Sequence, residues 1–206
     1  MVASPPPMLA PHHVLRAEVP AVLRLLGAAF IDDPMFAWMC PDLEVRPAAL
    51  ELFFGATLEL AVGKGHAYVT DDLQAAALWA PPEVELYEGP AMERIEAFFR
   101  DTIAARAELV LTGMLQLFES HPSEPHFYLG VIGTHPSAQG RGLGGQLLRA
   151  VLDACDANGT AAYLESSNVR NVAFYERHGF RVTAEVEMPD GPVMRPMWRD
   201  PVVPSR

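Results

Sequence analysis

Residues 139–145 read Gln-Gly-Arg-Gly-Leu-Gly-Gly and stand between two different apolar patterns. Before them, residues 126–134 form a mostly apolar run of strand length. After them, apolar residues recur from Leu143 at the spacing of an amphipathic helix, and this pattern ends at Asn158-Gly159, as a helix C-cap would. A strand, a glycine-rich turn and a helix are therefore predicted in this order, and this unit decides the fold.

The glycine-rich turn has the composition of an anion-binding loop. Glycines let the backbone approach a ligand closely, and free N–H groups at a helix N-terminus attract phosphate. Arg141 adds a permanent positive charge. A tight turn between strand and helix, without any ligand, would use the same glycines, so the residues alone leave both interpretations open.

Two other phosphate-binding motifs fit this turn less well. A Walker loop needs Gly-Lys-Ser/Thr at its end, whereas Gly145 is followed by Gln146. Gly140, Gly142 and Gly145 satisfy the GxGxxG pattern of dinucleotide-binding proteins. However, residues 135–139 separate the first glycine from the strand, and the chain that follows predicts a helix and a hairpin instead of further parallel strands.

A third pattern fits fully, because Gln139-x-x-Gly142-x-Gly144 follows a strand and a second motif, Asn171-Val-Ala-Phe-Tyr-Glu-Arg-His-Gly-Phe180, comes later. Together they resemble the GNAT superfamily of acetyl-CoA-dependent N-acetyltransferases. Residues 163–192, with Glu124-Pro125, further resemble the puromycin N-acetyltransferases of that superfamily. The resemblance covers residues 12–200, closely from residue 124 onward and loosely before it.

The resemblance implies an α/β (α+β) fold: a mixed, twisted, six- to seven-stranded sheet flanked by helices, with the strand 126–134 at its centre. Residues 12–200 would form a single acetyltransferase domain, between a flexible proline-rich tail at 1–11 and a short tail at 201–206. In the first half, apolar spacing predicts helices after Glu18, after Pro47 and within 90–118. A first strand is predicted at 12–17, and two more at 66–70 and 74–80.

The resemblance also implies where acetyl-CoA binds. In the family, pantetheine pairs with the backbone of the first motif's strand, pyrophosphate lies on the glycine turn, and a strand N–H near Ile132 or Gly133 stabilises the carbonyl oxygen. Gly133 is also what a β-bulge would use. Asn171 would bind the cofactor or only cap its helix. The implied cofactor-binding residues are Val131, Ile132, Gly133, Thr134, Gln139, Gly140, Arg141, Gly142, Leu143, Gly144, Gly145 and Asn171.

Acetyl transfer to an amine needs a group that accepts the amine's proton and one that protonates the leaving thiolate. Tyr175 is the predicted acid, because a phenol of pKa about 10 can protonate a thiolate whose conjugate acid lies near 8.5. A core aromatic is the competing interpretation of Tyr175. Glu165 is the predicted base; a salt bridge with Arg170 or Arg177 would equally explain a carboxylate there, and Glu124, His126 and Tyr128 are alternative bases.

Candidate substrate contacts lie at the end of the first predicted helix and beside the central strand. They are Phe30, Asp33, Trp79, His126 and Tyr128. Asp33, in Asp-Asp-Pro, is also an ordinary helix stop. No metal site is predicted, and Cys40 and Cys155 lack the neighbours of an activated nucleophile.

Composition restricts the partners. The chain carries 15 Lys plus Arg against 26 Asp plus Glu, a formal net charge of −11, which argues against nucleic acid or an anionic membrane surface. We expect a cytoplasmic monomer or homodimer. We expect it to acetylate a small-molecule amine, such as an aminonucleoside or another amine-bearing metabolite or antibiotic, by direct attack in a ternary complex. The alternative is a degenerate acyl-CoA-binding module that acts as a sensor or scaffold.

Overall fold

The computed structural model describes residues 10–64, 66–82, 84 and 89–202. Most of the predicted tails, residues 1–9 and 203–206, therefore lie outside the described residues. In the described part, no helix is both long and apolar enough to cross a membrane.

The described elements are a mixture of helices and strands. The strands are β1 His12–His13, β2 Ala67–Val69, β3 Ala75–Ala80, β4 His126–Thr134, β5 Ala161–Ser166, β6 Arg181–Val182, β7 Val186–Glu187 and β8 Val193–Arg199. The helices are α1 Val19–Phe30, α2 Pro34–Met39, α3 Arg46–Lys64, α4 Gly89–Thr102, α5 Ala107–Glu119, α6 Leu143–Asn158 and α7 Val169–Glu176. Short 3₁₀ turns lie at Ala104–Arg106 and Pro136–Ala138.

The strands form one mixed sheet in the order β1-β2-β3-β4-β5-β8-β6, and β7 pairs with β8 beside this path. β4 and β5 are parallel, whereas the other pairs are antiparallel. The mixed sheet with β4 at its centre confirms the predicted fold class. It has eight strands instead of six or seven, because the first arm of the hairpin predicted near the C-terminus is divided into β6 and β7.

Helices cover both faces of the sheet, as the burial of β3 shows. All six residues of β3 are buried, and alternate side chains enter two different cores. Ala76 and Leu78 join the core formed with α1 and α3, whereas Ala77 and Trp79 join the core formed with α6. A strand buried on both faces reads as a continuous apolar run, which is what residues 75–80 show.

Two local features in the first half differ from the sequence predictions. The first strand is only His12–His13 instead of 12–17. A short helix, α2, follows the predicted helix stop, because the Asp33 carboxylate accepts hydrogen bonds from the Met35 and Phe36 amides and Pro34 takes the first helical position. A helix of six residues is too short to show a periodic apolar pattern, so the only sequence feature that indicates this helix is its N-cap.

Candidate active site

A cleft opens where two parallel strands separate. β4 and β5 pair only from His126 opposite Ala161 to Tyr128 opposite Tyr163, although both strands continue beyond those residues. The cleft lies between the parts of β4 and β5 that no longer pair with each other, and it is lined by Leu129, Gly130, Val131, Ile132, Leu164, Glu165, Ser166, Ser167, Phe30, Asp33, Asn171 and Tyr175. Several residues singled out from the sequence therefore meet in one place.

A β-bulge coincides with the point where the strands part. Val131 lies opposite Leu78 and Leu129 lies opposite Trp79, so Gly130 is the extra residue in β4. A bulge bends its strand, and here the bend falls two residues after Tyr128, the last β4 residue that pairs with β5. The suggestion of a bulge at Gly133 is thus wrong. A Cβ at Gly133 would come within 3.0 Å of Leu26 Cδ2 and Phe30 Cε2, so its small size lets α1 pack against β4.

Tyr175 lies at the cleft and in the core at once. Its side chain is 7% exposed and packs beside Phe174 and Phe180. Burial, and secondarily the Asp33 carboxylate, raise the pKa of Tyr175, so the phenol stays protonated in the resting protein. Asn171 lies one turn earlier on α7 and lines the same cleft. The side chain that caps α7 is Asn168, so the helix-cap interpretation of Asn171 is wrong.

Glu165 is the buried carboxylate of the cleft, with only 7% of its side chain exposed. Among the described residues its ion-pair partner is His121, whose Nδ1 lies 3.3 Å from Glu165 Oε1. Among the described contacts this pair replaces the predicted salt bridge with Arg170 or Arg177. The carboxylate therefore keeps a polar partner on one side and faces the cleft on the other.

Two histidines continue the hydrogen-bond chain behind Glu165. His121 Nε2 lies 3.1 Å from His126 Nε2, and His126 Nδ1 lies 2.6 Å from the Glu124 carbonyl oxygen. Burial lowers the pKa of His126, although its hydrogen bond to the Glu124 carbonyl opposes this shift. Sequence reasoning singled out His126 but missed His121, because a histidine in a loop between α5 and β4 carries no pattern that links it to β5.

The aromatic rings of Tyr128 and Tyr163 enclose this pair. The His121 ring centroid lies 5.0 Å from that of Tyr128 and 4.8 Å from that of Tyr163. Tyr128, a predicted substrate contact or base, thus packs beside the histidines at the start of β4. Burial and the neighbouring Glu165 carboxylate raise the pKa of Tyr163.

Asp33 and Phe30 form the wall contributed by the first half of the chain. Asp33 Oδ1 caps α2, and Asp33 Oδ2 accepts a 2.6 Å hydrogen bond from the Ser167 hydroxyl. Burial raises the pKa of Asp33, although the Ser167 hydroxyl and two amides oppose the shift. Asp33 therefore follows the first helix, caps the second and lines the cleft, and its contact with substrate stays a prediction. Phe30 packs 5.0 Å from Phe54, ring to ring.

The glycine turn presents two kinds of glycine. Gly140 and Gly142 have φ angles of +77° and +80°, and a Cβ at either would meet nothing within 4 Å. Gly144 and Gly145 instead allow α7 and the turn after it to pack on α6, since their Cβ atoms would lie 3.2 Å from Phe174 and 3.1 Å from His178. Within the described part of the chain, no side chain caps the first turn of α6. Its N–H groups, the open space at Gly140 and the charge of Arg141 fit an anionic group.

The remaining predicted residues of the turn lie around this N-terminus. Gln139 is exposed and donates to the Thr134 carbonyl at 3.4 Å, whereas Leu143 is buried beneath α6. The Arg141 guanidinium lies 3.1 Å from Asp72 in the β2–β3 turn. That pair is exposed and therefore weak, so it leaves Arg141 able to meet another anion.

Trp79 and the two cysteines lie away from the cleft. Trp79 is 1% exposed in the core against α6, so the suggestion that it contacts substrate is wrong for this cleft. Cys40 and Cys155 are both buried. Burial raises the pKa of both thiols, that of Cys155 to about 11, which disfavours the nucleophilic thiolate.

Comparisons with known proteins agree with this geometry. A model of the family described as Acetyltransferase (GNAT) matches residues 70–180. An uncharacterised N-acetyltransferase of Schizosaccharomyces pombe is 37% identical over 54 residues, which cover 26% of this chain and 22% of that protein. The match thus spans about a fifth of the curated relative.

Solved structures extend the likeness to nearly the whole chain. A Corynebacterium glutamicum structure, described as histone acetyltransferase HPA2 and related acetyltransferase, is 26% identical with a TM-score of 0.72 and covers 96% of this chain and 100% of its own. A polyamine N-acetyltransferase of Drosophila melanogaster is 16% identical with a TM-score of 0.57, over 92% of this chain and 98% of its own. The latter likeness concerns the fold alone.

Proposed function

Because this chain belongs to the Acetyltransferase (GNAT) family, we propose that it moves the acetyl group of acetyl-CoA to an amine of a small molecule. One observation carries the proposal. A buried carboxylate, Glu165, and a protonated phenol, Tyr175, line the same cleft between the separated strands β4 and β5. An acid and a base at one cleft are what amine acetylation requires.

Acetyl-CoA supplies the reactive thioester when it is bound. The residues proposed to hold it are Val131–Thr134, Gln139–Gly145 and Asn171. Three features support this placement: β4 does not pair with β5 at Val131, the N-terminus of α6 has no side-chain cap among the described residues, and Gly140 and Gly142 leave open space. An N–H of β4 near Ile132 or Gly133 is proposed to stabilise the thioester oxygen.

In the proposed reaction, Glu165 accepts the proton of the incoming amine and Tyr175 donates one to the departing thiolate. The amine attacks directly in a ternary complex. Buried thiols with raised pKa values support this route, because neither Cys40 nor Cys155 offers a ready thiolate to carry the acetyl group.

The acceptor is proposed to be a small amine that arrives as a cation. Asp33 and Glu165 both line the cleft and are largely buried, so a positive ligand group would be better accommodated there than a negative one. The likeness of residues 163–192 to puromycin N-acetyltransferases adds aminonucleosides and amine-bearing antibiotics to the acceptors worth testing. We further propose that the protein acts as a cytoplasmic monomer or homodimer without a nucleic-acid or membrane partner.

The test is a screen of amines for CoA release, with wild type, Glu165→Gln and Tyr175→Phe. We expect turnover of at least one amine, lost in both variants but retained in the matched controls Glu176→Gln and Tyr68→Phe. Glu176 is an exposed residue of α7, and Tyr68 lies on β2. Calorimetry with acetyl-CoA distinguishes the enzyme from the alternative function. Tight binding of acetyl-CoA without turnover of any amine would identify a sensor or scaffold.

A further inference from the structure

Two carboxylates line the cleft, and in the described part of the chain only one of them has an ion-pair partner. Glu165 lies 3.3 Å from His121. Asp33 has no comparable neighbour, and the described residues that line the cleft include no Lys, Arg or His. Asp33 therefore brings a negative charge to the cleft that no described side chain balances.

The hydrogen bonds of Asp33 leave part of its carboxylate available. Oδ1 accepts from the Met35 amide at 2.9 Å and from the Phe36 amide at 3.4 Å, and Oδ2 accepts from the Ser167 hydroxyl at 2.6 Å. A carboxylate has about four acceptor positions, two on each oxygen. The described contacts fill both positions on Oδ1 and one on Oδ2, so one position on Oδ2 remains for a ligand.

The Ser167 hydroxyl adds a second acceptor beside that position. It gives its hydrogen to Asp33, so its oxygen keeps lone pairs that can accept. Asp33 and Ser167 both line the cleft. Two neighbouring acceptors with a negative charge match an ammonium or guanidinium group, which can only donate. We call these two side chains the Asp33–Ser167 subsite.

A cation at this subsite would offset the cost of burying the Asp33 charge. Burial raises the pKa of Asp33 in spite of its three hydrogen bonds, so these bonds do not fully replace water around the carboxylate. An opposite charge within a few ångströms favours the ionised form of a carboxyl group. Acetyl-CoA brings no such charge, because its thioester and pantetheine are neutral and its phosphates are anionic. The cation must therefore belong to the acceptor.

The reacting nitrogen of the acceptor cannot be that cation. In the proposed reaction it gives its proton to Glu165 and attacks the thioester as a neutral amine. A C–N bond forms, the C–S bond breaks, and Tyr175 protonates the thiolate. The nitrogen ends in a neutral amide. Only a second cationic group of the same acceptor would stay charged beside Asp33 from binding to product.

We infer that the Asp33–Ser167 subsite binds a second cationic group of the acceptor, so that the preferred substrates are small amines with a second ammonium or guanidinium group. The inference rests on the proposed function, in which Glu165 deprotonates the reacting amine. Asp33 reaches the cleft from the turn between α1 and α2, whereas Glu165 reaches it from β5. The two charged ends of the acceptor thus meet different elements of the fold.

The first test compares acceptors on the wild-type protein. Diaminopropane, diaminobutane and diaminopentane are each paired with the amino alcohol of the same chain length, in which a neutral hydroxyl replaces the second ammonium. We expect the kcat/KM of the best diamine to exceed that of its amino alcohol by about tenfold, roughly the effect of one hydrogen bond between charged groups. The difference should lie mainly in KM, because the second cation binds equally well before and during the reaction.

Asp33→Asn tests the residue itself, because the amide keeps the size of the side chain and an oxygen that can cap α2 but removes the charge. The ratio of kcat/KM for diamine to that for amino alcohol should fall by about tenfold. Asp33 also raises the pKa of Tyr175, but that effect acts on both acceptors and cancels in the ratio. Asp32→Asn is the matched control, since Asp32 is exposed and does not line the cleft. Its ratio should equal that of wild type.

A binding measurement separates this inference from the proposed function. In calorimetry with CoA-saturated protein, diaminobutane should bind more tightly than aminobutanol to wild type and to Asp32→Asn, but not to Asp33→Asn. If an active wild type used diamines and amino alcohols equally well, or if Asp33→Asn left the ratio unchanged, the subsite would be wrong and the proposed function would stand. If the diamine bound as expected but no amine was acetylated, the proposed function would fail and, with it, the role of Asp33 in substrate choice.

Discussion

Asp33 Oδ2 and the Ser167 hydroxyl lie 2.6 Å apart, although 134 residues separate them in the chain. Asp33 caps α2 in the first half of the chain, and Ser167 follows β5 in the second half. Both residues line the cleft. The hydrogen bond therefore joins Asp33, which lies before the residues 70–180 that match the family model, to the end of the strand that carries Glu165.

Asp33→Ala should destabilise the protein by about 1–2 kcal/mol, because it removes the cap of α2 and the partner of Ser167. Urea denaturation measures this change. Asp33→Asn retains an acceptor oxygen and should lose less. If Asp33→Ala were as stable as wild type, neither hydrogen bond would contribute.

The stability that Asp33 contributes should also depend on pH. Burial raises its pKa above the ordinary value of 3.8, so the folded state holds this proton more firmly than the unfolded state does. The stabilisation by Asp33 is then fully present below pH 3.8, and it is lost as the pH rises through the raised pKa that Asp33 has in the folded state. The free energy of unfolding of wild type minus that of Asp33→Asn should fall over this interval, and a flat difference would contradict the shift.

Tyr175→Phe keeps the ring in the core and deletes only the proton donor. We expect turnover to fall by about 10²–10⁴, with acetyl-CoA affinity and thermal stability nearly unchanged. Rapid-quench kinetics that show chemistry to be rate-limiting provide the measurement. If Tyr175→Phe kept full turnover while chemistry was rate-limiting, Tyr175 would not be the general acid.

Glu165→Gln should lower kcat/KM most strongly at low pH. As pH rises, more of the amine arrives already neutral, so the base matters less and the defect should shrink. A pH profile with one amine tests this expectation. A defect that stays constant with pH would indicate that Glu165 binds the substrate instead.

Gly142→Ala should weaken acetyl-CoA binding, because a Cβ at φ +80° strains the turn at the start of α6. Gly159→Ala is the matched control, since Gly159 has φ +68° at the other end of the same helix. Each should cost about 1 kcal/mol of stability. Calorimetry should show a lower affinity for acetyl-CoA only in Gly142→Ala. If both variants bound acetyl-CoA equally well, the turn would not be part of the cofactor site.

Wild type incubated with acetyl-CoA but no amine should stay unmodified at Cys40 and Cys155, because burial raises the pKa of both thiols. Intact-mass spectrometry measures this. An acetylated cysteine that releases its acetyl group on addition of amine would overturn direct attack.

Local patterns predicted the second half of the molecule well. β4 at His126–Thr134 and α6 from Leu143 lie where the apolar runs placed them, because each is long and has one clear period. The first half was less predictable. β1 is two residues long and α2 is six, and elements this short depend on their tertiary neighbours.

The sequence by itself determined the family and the identity of the candidate acid and base, because the Gln139–Gly145 turn and the segment around Tyr175 are local in the chain. Tertiary structure alone decided what surrounds them. It placed the bulge at Gly130 and not at Gly133, buried Trp79 in the core, and gave Glu165 a histidine partner from a distant loop. These relationships arise where residues far apart in the chain meet across the sheet, and hydrophobic spacing within one segment cannot encode such contacts.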